Sequence, residues 1–275
     1  VFIRMVSNNR QGDDKYDYAE SHYPKSEKIK EIYQNLEANR SNMAWENVAR
    51  AMLLAGYRYG SVDIQNKQID VKNTPVLVIP SAKYMHKHIQ GKLVDYLNNG
   101  GGLLLYGEVP THDMEGNPCN LLTNALGAQP VGMQLAGPDY DLSVYADGWA
   151  SYRAELRVHK AQLFALDKKS EIIFRVYGTD NPCGFDTKAG KGRAIVIAAP
   201  YTCDIDFFRQ TLEKLGAKAK LTNNSKYHGI FMTSTVNKQG ERFLHVLNLD
   251  GFDKDMHIYE METKLFDGRK IELHS

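Results

Sequence analysis

The sequence predicts an α/β domain, a parallel sheet with flanking helices, followed by a small antiparallel β domain. Three observations carry that expectation. Two runs, Val76-Leu77-Val78-Ile79 and Leu103-Leu104-Leu105-Tyr106, are continuously apolar, the pattern of strands buried on both faces. Between them lies one amphipathic helical stretch ended by Gly100-Gly101-Gly102. Strand, helix and strand within about 35 residues make a βαβ unit with a right-handed crossover. Beyond residue 223 the texture changes to short strand-like segments separated by polar turns, with no helical periodicity.

Taken in order, the chain opens on an apolar run, Val1 to Val6, that reads as a strand. Because it begins inside an element and without Met, the expectation is a piece of a longer polypeptide whose N-terminal partner is missing. A polar, tyrosine-rich loop follows to Pro24. Ser26 to Ala38 places Ile29, Ile32, Tyr33 and Leu36 on one helical stripe, and Asn42 to Ala55 does the same with Met43, Val48, Ala51, Met52 and Ala55. Ser61 to Ile64 reads as a short strand. In the βαβ unit, the helix spans Met85 to Asn98 with Ile89, Leu93, Tyr96 and Leu97 inward, and glycine supplies the left-handed conformation its end requires.

After Pro110 the periodicity weakens. Leu121 to Leu126 reads as a short helix, and Met133 to Leu156 alternates unevenly. Glu171 to Tyr177 is a strand, Gly178 to Gly192 reads as turn formers, and Arg193 to Ala199 is another strand. Asp204 is a suitable N-cap for a helix striped by Ile205, Phe208, Leu212 and Leu215. Gly229–Val236, Arg242–Leu249, Met256–Glu262 and Lys270–His274 are the short strands of the β domain. The expected division is residues 1–40 as a strand and helix joining a missing domain, 41–222 as the α/β domain and 223–275 as the β domain.

Composition limits the function classes. Of 275 residues, 34 are Lys or Arg and 33 Asp or Glu, a net charge of +1 that advertises neither nucleic acid nor an acidic membrane surface. The apolar runs are far too short for a membrane-spanning helix. Cys119, Cys183 and Cys203 are widely spaced and form no C-x-x-C pair, which argues against a disulfide framework or a zinc site and for a reducing, cytoplasmic compartment.

The stretch Thr74–Pro110 resembles the glutamine-amidotransferase-like, flavodoxin-like fold, in the version found as the trimerisation domain of family 42 β-galactosidases or related family 35-type enzymes. The residues that carry it are Val76-Leu77-Val78-Ile79-Pro80, the helix from Gly91 to Asn98, Gly100-Gly101-Gly102 and Leu103-Leu104-Leu105-Tyr106. Gly190-Lys191-Gly192-Arg193-Ala194-Ile195-Val196 and the helix to Gly216 look like the last strand and helix of that domain. Phe243-Leu244-His245-Val246-Leu247-Asn248 is similar to the small C-terminal β domain of those enzymes. The resemblance covers about two thirds of the chain and leaves the first 40 residues unplaced.

The resemblance also frames what chemistry to expect. Active amidotransferases carry a cysteine at the turn after the strand matching Leu103–Gly107, where backbone N–H groups activate it. Here the turn reads Tyr106-Gly107-Glu108-Val109-Pro110, with neither cysteine nor serine. Glycoside hydrolysis uses two flanking carboxylates, and no pair stands out. The expectation is therefore a chain without catalytic, cofactor-binding or metal-binding residues.

Three groupings remain. Glu108, His112, Asp113 and Glu115 follow a parallel strand at the end where open sheets place sites; they suit a divalent metal or ligand, against a solvated turn, which is favoured. Tyr140, Tyr145, Trp149 and Tyr152 lie among Asp139, Asp141 and Asp147, a composition for sugar stacking or, favoured, for packing at an interface. His86 and His88 sit at a helix start, where alternate positions do not share a face, and read as surface histidines.

The expected function is thus a non-catalytic assembly or scaffold region of a β-galactosidase-like glycoside hydrolase. It would pack against the missing catalytic domain of the same polypeptide and against sister copies in a homo-oligomer, with no nucleic acid or membrane partner. The alternative is a carbohydrate-binding module using Tyr140 to Tyr152 and the Glu108 loop; a free-standing amidotransferase-like hydrolase is third.

Overall fold

A computed structural model of the chain describes residues 3–5, 44–137, 142–146, 155–167, 169–199, 205–225, 229–260, 266 and 268–274. The expected helix Ser26–Ala38, the loop before it, Asp204, Cys203, Tyr140, Trp149 and Tyr152 lie outside the described residues. In chain order the α/β part comprises β1 (Ile3–Met5), α1 (Ala44–Leu54), β2 (Tyr59–Ser61), β3 (Val76–Ser81), α2 (Lys87–Asn98), β4 (Gly102–Gly107) and α3 (Leu121–Leu126). It continues with β5 (Ala128–Leu135), β6 (Leu142–Ala146), β7 (Glu155–Val158), β8 (Lys160–Leu166), β9 (Glu171–Val176), β10 (Pro182–Ala189), β11 (Gly192–Ile197) and α4 (Ile205–Lys214). The β unit holds β12 (Leu221–Asn223), β13 (Ile230–Val236), β14 (Arg242–Asn248), β15 (Lys254–Glu260) and β16 (Arg269–Leu273). Among the described residues no helix is long and apolar enough to cross a membrane.

Nine strands form one sheet in the order β2-β1-β3-β4-β11-β10-β9-β6-β7. The pairings from β2 to β11 are parallel, and those from β11 onward are antiparallel. Alternate residues of the central strands feed two cores, because successive side chains point to opposite faces. Val76, Val78, Leu104, Tyr106, Ile195 and Ile197 meet α1 and α4 on one face. Leu77, Ile79, Leu103, Leu105, Ala194 and Val196 meet α2 and α3 on the other. This is the expected α/β sheet, and the separate β12-β15-β16 and β13-β14 sheets are the expected small β unit.

The βαβ unit forms as read, with Val76 to Ser81 pairing in parallel with Gly102 to Gly107. Its three glycines serve different ends. Gly100 takes the left-handed backbone at φ 98°, while a Cβ on Gly101 would lie 2.3 Å from the Tyr96 ring that packs over it. The Tyr96 hydroxyl donates to the carbonyls of Thr74 and Gly102, tying the helix to both strands.

Several expectations are corrected. The helix begins at Lys87, not Met85, because His86 takes an extended, non-helical backbone with ψ 133°, and the Met85 N–H instead bonds the carbonyl of His112 at 3.0 Å. Consequently His86 stands outside the helix, and its ring lies 5.3 Å from that of His88, so the two histidines are neighbours after all. The short strand is Tyr59–Ser61 rather than Ser61–Ile64, since Asp63 accepts the Gln65 N–H and turns the chain. The carbonyls of Ile64 and Gln65 then converge on the Lys92 ammonium at 2.9 and 2.8 Å.

The largest correction concerns Gly178 to Gly192, read as turns. Pro182–Ala189 is an inner strand of the large sheet, buried at every position but Lys188. Its Pro, Gly, Asp and Thr residues disguised it. Asp186, 2% exposed at its side chain, is matched by the Arg193 guanidinium at 2.7 and 2.5 Å. Thr187 receives the Ser170 hydroxyl and donates to the carbonyl of Leu126. Strand β8 had no counterpart in the sequence reading either; it pairs with β5 as a separate two-stranded ribbon.

The small β unit has its own core of Leu221, Ile230, Met256, Ile258 and Phe266. Arg58, at the end of the α1 turn, joins it to the α/β part by donating to the Thr233 hydroxyl at 2.6 Å and to the Ser234 carbonyl.

Candidate functional site

The place to look for chemistry is the C-terminal end of β4, where open α/β sheets form a crevice. Strand β4 ends at Gly107, whose φ of 108° turns the chain sharply; a Cβ there would lie 2.2 Å from the Ser81 carbonyl oxygen. Ser81 holds both sides of the turn. Its carbonyl accepts the Glu108 N–H at 3.1 Å, and its hydroxyl donates to the Glu108 carbonyl at 2.6 Å.

Glu108 is buried, not solvated as the sequence reading favoured. Its carboxylate meets the Lys160 ammonium at 2.7 Å, with the two side chains 11% and 20% exposed. The next residue, Val109, is clamped from across the crevice. Its N–H donates to the Gln162 side-chain oxygen at 2.8 Å, and its carbonyl accepts from the Gln162 amide at 3.2 Å. The Gln162 backbone N–H in turn donates to the Ala198 carbonyl just past β11. Strand β8 therefore fills the crevice with its own ion pair and hydrogen bonds. Sequence reasoning missed Lys160 and Gln162 because both lie more than 50 residues from the turn they close.

The other residues of this grouping do not converge with Glu108. The His112 Nδ1 shares a hydrogen bond with the Thr111 hydroxyl at 2.8 Å, and its ring lies 5.6 Å from that of Tyr84. Asp113 instead closes a local turn, accepting the Asn117 backbone N–H at 2.7 Å and its side-chain amide at 3.2 Å. Loss of water raises the Asp113 carboxyl, but donation by Asn117 outweighs it and holds the group below the usual carboxylate range. The structure thus sends three candidate ligands to three different partners.

The two described thiols offer no alternative at this turn. Cys119 is buried and backbone-bonded through its N–H to Thr111. Cys183 sits on the inner strand β10, where burial pushes its thiol up to about 12, so it is not a thiolate at neutral pH. Of the aromatic grouping only Tyr145 is described: a half-buried residue of β6, in register with Arg175 of β9.

Two surface features adjoin the closed crevice. Leu121 of α3 and the alternate β5 residues Val131, Met133 and Leu135 are apolar and exposed, at 41%, 50%, 40% and 65%. A groove of about 830 Å³ runs between the loop after β4, α3 and the β5–β8 ribbon.

Comparison with known proteins gives these features a context. Residues 27–147 match the model of the second domain of GLMA-like proteins. Over 237 residues the chain is 26% identical to a β-1,2-glucosyltransferase of Ignavibacterium album, covering 84% of this chain and 30% of that protein. Its fold aligns with a catalytic mutant of a GH42 β-galactosidase from G. stearothermophilus at a TM-score of 0.68 and 16% identity, over 98% of this chain and 38% of that one. The cold-adapted β-galactosidase of Rahnella sp. R3 aligns equally well, TM-score 0.68 at 12% identity, over 99% and 39%. The fold is the one the sequence resemblance implied. The chain spans between 30% and 39% of the length of these relatives.

Proposed function

We propose that this chain, having the fold of the region it matches in GH42 β-galactosidases, is the non-catalytic assembly region of a carbohydrate-active enzyme whose catalytic domain lies elsewhere in the polypeptide. The observation that carries this is the closed turn after β4. A glutamate neutralised by Lys160 and a backbone clamped by Gln162 occupy the crevice in which an active relative of this fold would hold its attacking thiol. Opening it would strand a partly buried charge and unpair the Val109 amide, each costing about 1–3 kcal/mol. The crevice is stable as filler, and among the described residues it has no group poised for acyl transfer.

Assembly is the complementary half of the reading. Leu121, Val131, Met133 and Leu135 are apolar and exposed, and we assign them to contact with a second copy of the chain. The parent enzyme acts on β-glycosides. The 26% identity to a β-1,2-glucosyltransferase favours glucosyl transfer as a second reading beside galactoside hydrolysis, and product analysis with the complete polypeptide separates them.

The test pairs activity with sedimentation. The chain alone should not hydrolyse aryl β-galactosides or β-glucosides and should sediment as an oligomer, while Met133→Asp with Leu135→Asp yields folded monomers. Turnover abolished by Glu108→Gln or Cys119→Ala, or a strictly monomeric parent protein, would overturn the proposal.

A further inference from the structure

The groove next to the filled crevice is a different kind of surface from the exposed apolar residues of α3 and β5. Thr111 and His112 line it from the loop after β4, Asn120 and Asn124 from α3, Gln129 from β5 and Asp167 from the end of β8. These are amides, a hydroxyl, an imidazole and one carboxylate. Among the described residues lining it there is no lysine or arginine. Its apolar floor is small: Pro118, Ala128, Pro130, Ala165 and Leu166.

That combination selects a ligand class. Three amides present donors and acceptors side by side, which suits groups that do both, namely hydroxyls. Its one carboxylate is already paired, with the Lys169 ammonium 3.4 Å away, so among the described residues the groove presents no uncompensated cation to a phosphate or a carboxylic acid. The volume exceeds what a single ring needs and falls within the range of small-molecule sites. The flat prolines and alanines provide the apolar contact that the C–H faces of a pyranose require, without an apolar pocket deep enough for a hydrophobe.

Parts of the lining are also fixed in place. His112 is bridged through its backbone to Tyr84 on one side and Pro118 on the other, and its ring is held by Thr111. Asp167 accepts the Lys169 N–H at 3.2 Å and lies against Gly127, where an added Cβ would come within 2.1 Å of its carboxylate. Thr123, 2% exposed, forms part of the floor with its hydroxyl turned back to the Asn120 carbonyl. A groove whose walls are already ordered loses little entropy when a ligand binds.

We propose that this groove is a binding site for a neutral oligosaccharide, held through hydroxyl contacts to Asn120, Asn124, Gln129 and Asp167. The choice of a sugar among neutral polyhydroxylated ligands rests on the carbohydrate-active parent proposed above; the hydrogen-bonding character of the groove does not. The site would retain a glycan chain on the assembly region while the catalytic domain works on its end.

The experiment is a titration of this chain, followed by amide NMR and calorimetry, with lactose and with the β-1,2-linked disaccharide of glucose. Saturable shifts at Asn120, Asn124 and Gln129 are expected. Asp167→Asn and, separately, Asn124→Ala should each weaken binding by about tenfold, the scale of one lost hydrogen bond to a charged or well-placed group. Both variants should keep the parent's melting temperature and oligomeric state, since Asn124 is exposed and the ion pair Asp167 loses, with Lys169, is one between half-exposed side chains. No saturable binding of either sugar at about 20 mM, a concentration that would detect even weak sites, overturns the proposal. So does binding that both variants leave unchanged. Assaying the complete polypeptide on β-glycosides keeps the two readings apart: turnover without groove binding sinks the binding site alone, and groove binding without turnover sinks the parent activity alone.

Discussion

The two halves of the nine-stranded sheet are buried to a similar degree by different means. In the parallel half, β3 and β4 present aliphatic side chains to both faces and helices cover both, so burial and low polarity coincide. In the antiparallel half, β10 is as deeply buried yet carries Asp186 and Thr187, each with a partner supplied from a neighbouring strand, loop or helix. The first half is held by area removed from water. The second depends on polar groups finding one another, so its stability is conditional on pairing geometry.

Truncating a side chain at the centre of the parallel half should cost most. Leu104→Ala removes a fully buried side chain between β3 and β11, and about 3 kcal/mol of unfolding free energy should vanish in a urea titration, independent of salt. A loss below about 1 kcal/mol would mean that the parallel half is not tightly packed. Next comes Asp186→Ala in the antiparallel half, expected to cost about 2 kcal/mol because Arg193, 38% exposed at its side chain, can recover part of its hydration. Adding Arg193→Met to it should restore some of the loss, which would not happen if Asp186 acted only by filling space.

The smallest effect lies in the loop that leaves the parallel half. The folded-state value of Asp113 is depressed, so its contribution is present above the ordinary carboxylate range and is lost as pH falls through the depressed value. The Asn117 amide resonance should therefore shift on acidification with a midpoint below the ordinary aspartate value, while β4 amides stay unmoved. A midpoint at or above the ordinary value would show that the turn does not hold the carboxylate.

The same contrast decides what could be read from the chain. Val76 to Ile79, Leu103 to Tyr106 and the helix between them were legible because each residue's environment follows from its own hydrophobicity. Leu121–Leu126 was legible to its bounds, since Gly127 ends it in the left-handed conformation. Pro182 to Ala189 was not, because the justification for a buried Asp186 is an arginine on the next strand. At the site, Glu108 was found by its position after β4, but its burial depends on Lys160. Only Ala161 to Leu166, an apolar run broken by one glutamine, carried a local hint that a polar side chain was wanted inside.

That glutamine has a consequence for how the molecule breathes. Val109 belongs to no strand, yet its amide proton is shut inside a side-chain clip anchored on a different ribbon. Exchange with deuterated solvent at this one loop position then requires β8 to peel from the end of β11, and so times the opening of the ribbon as a whole.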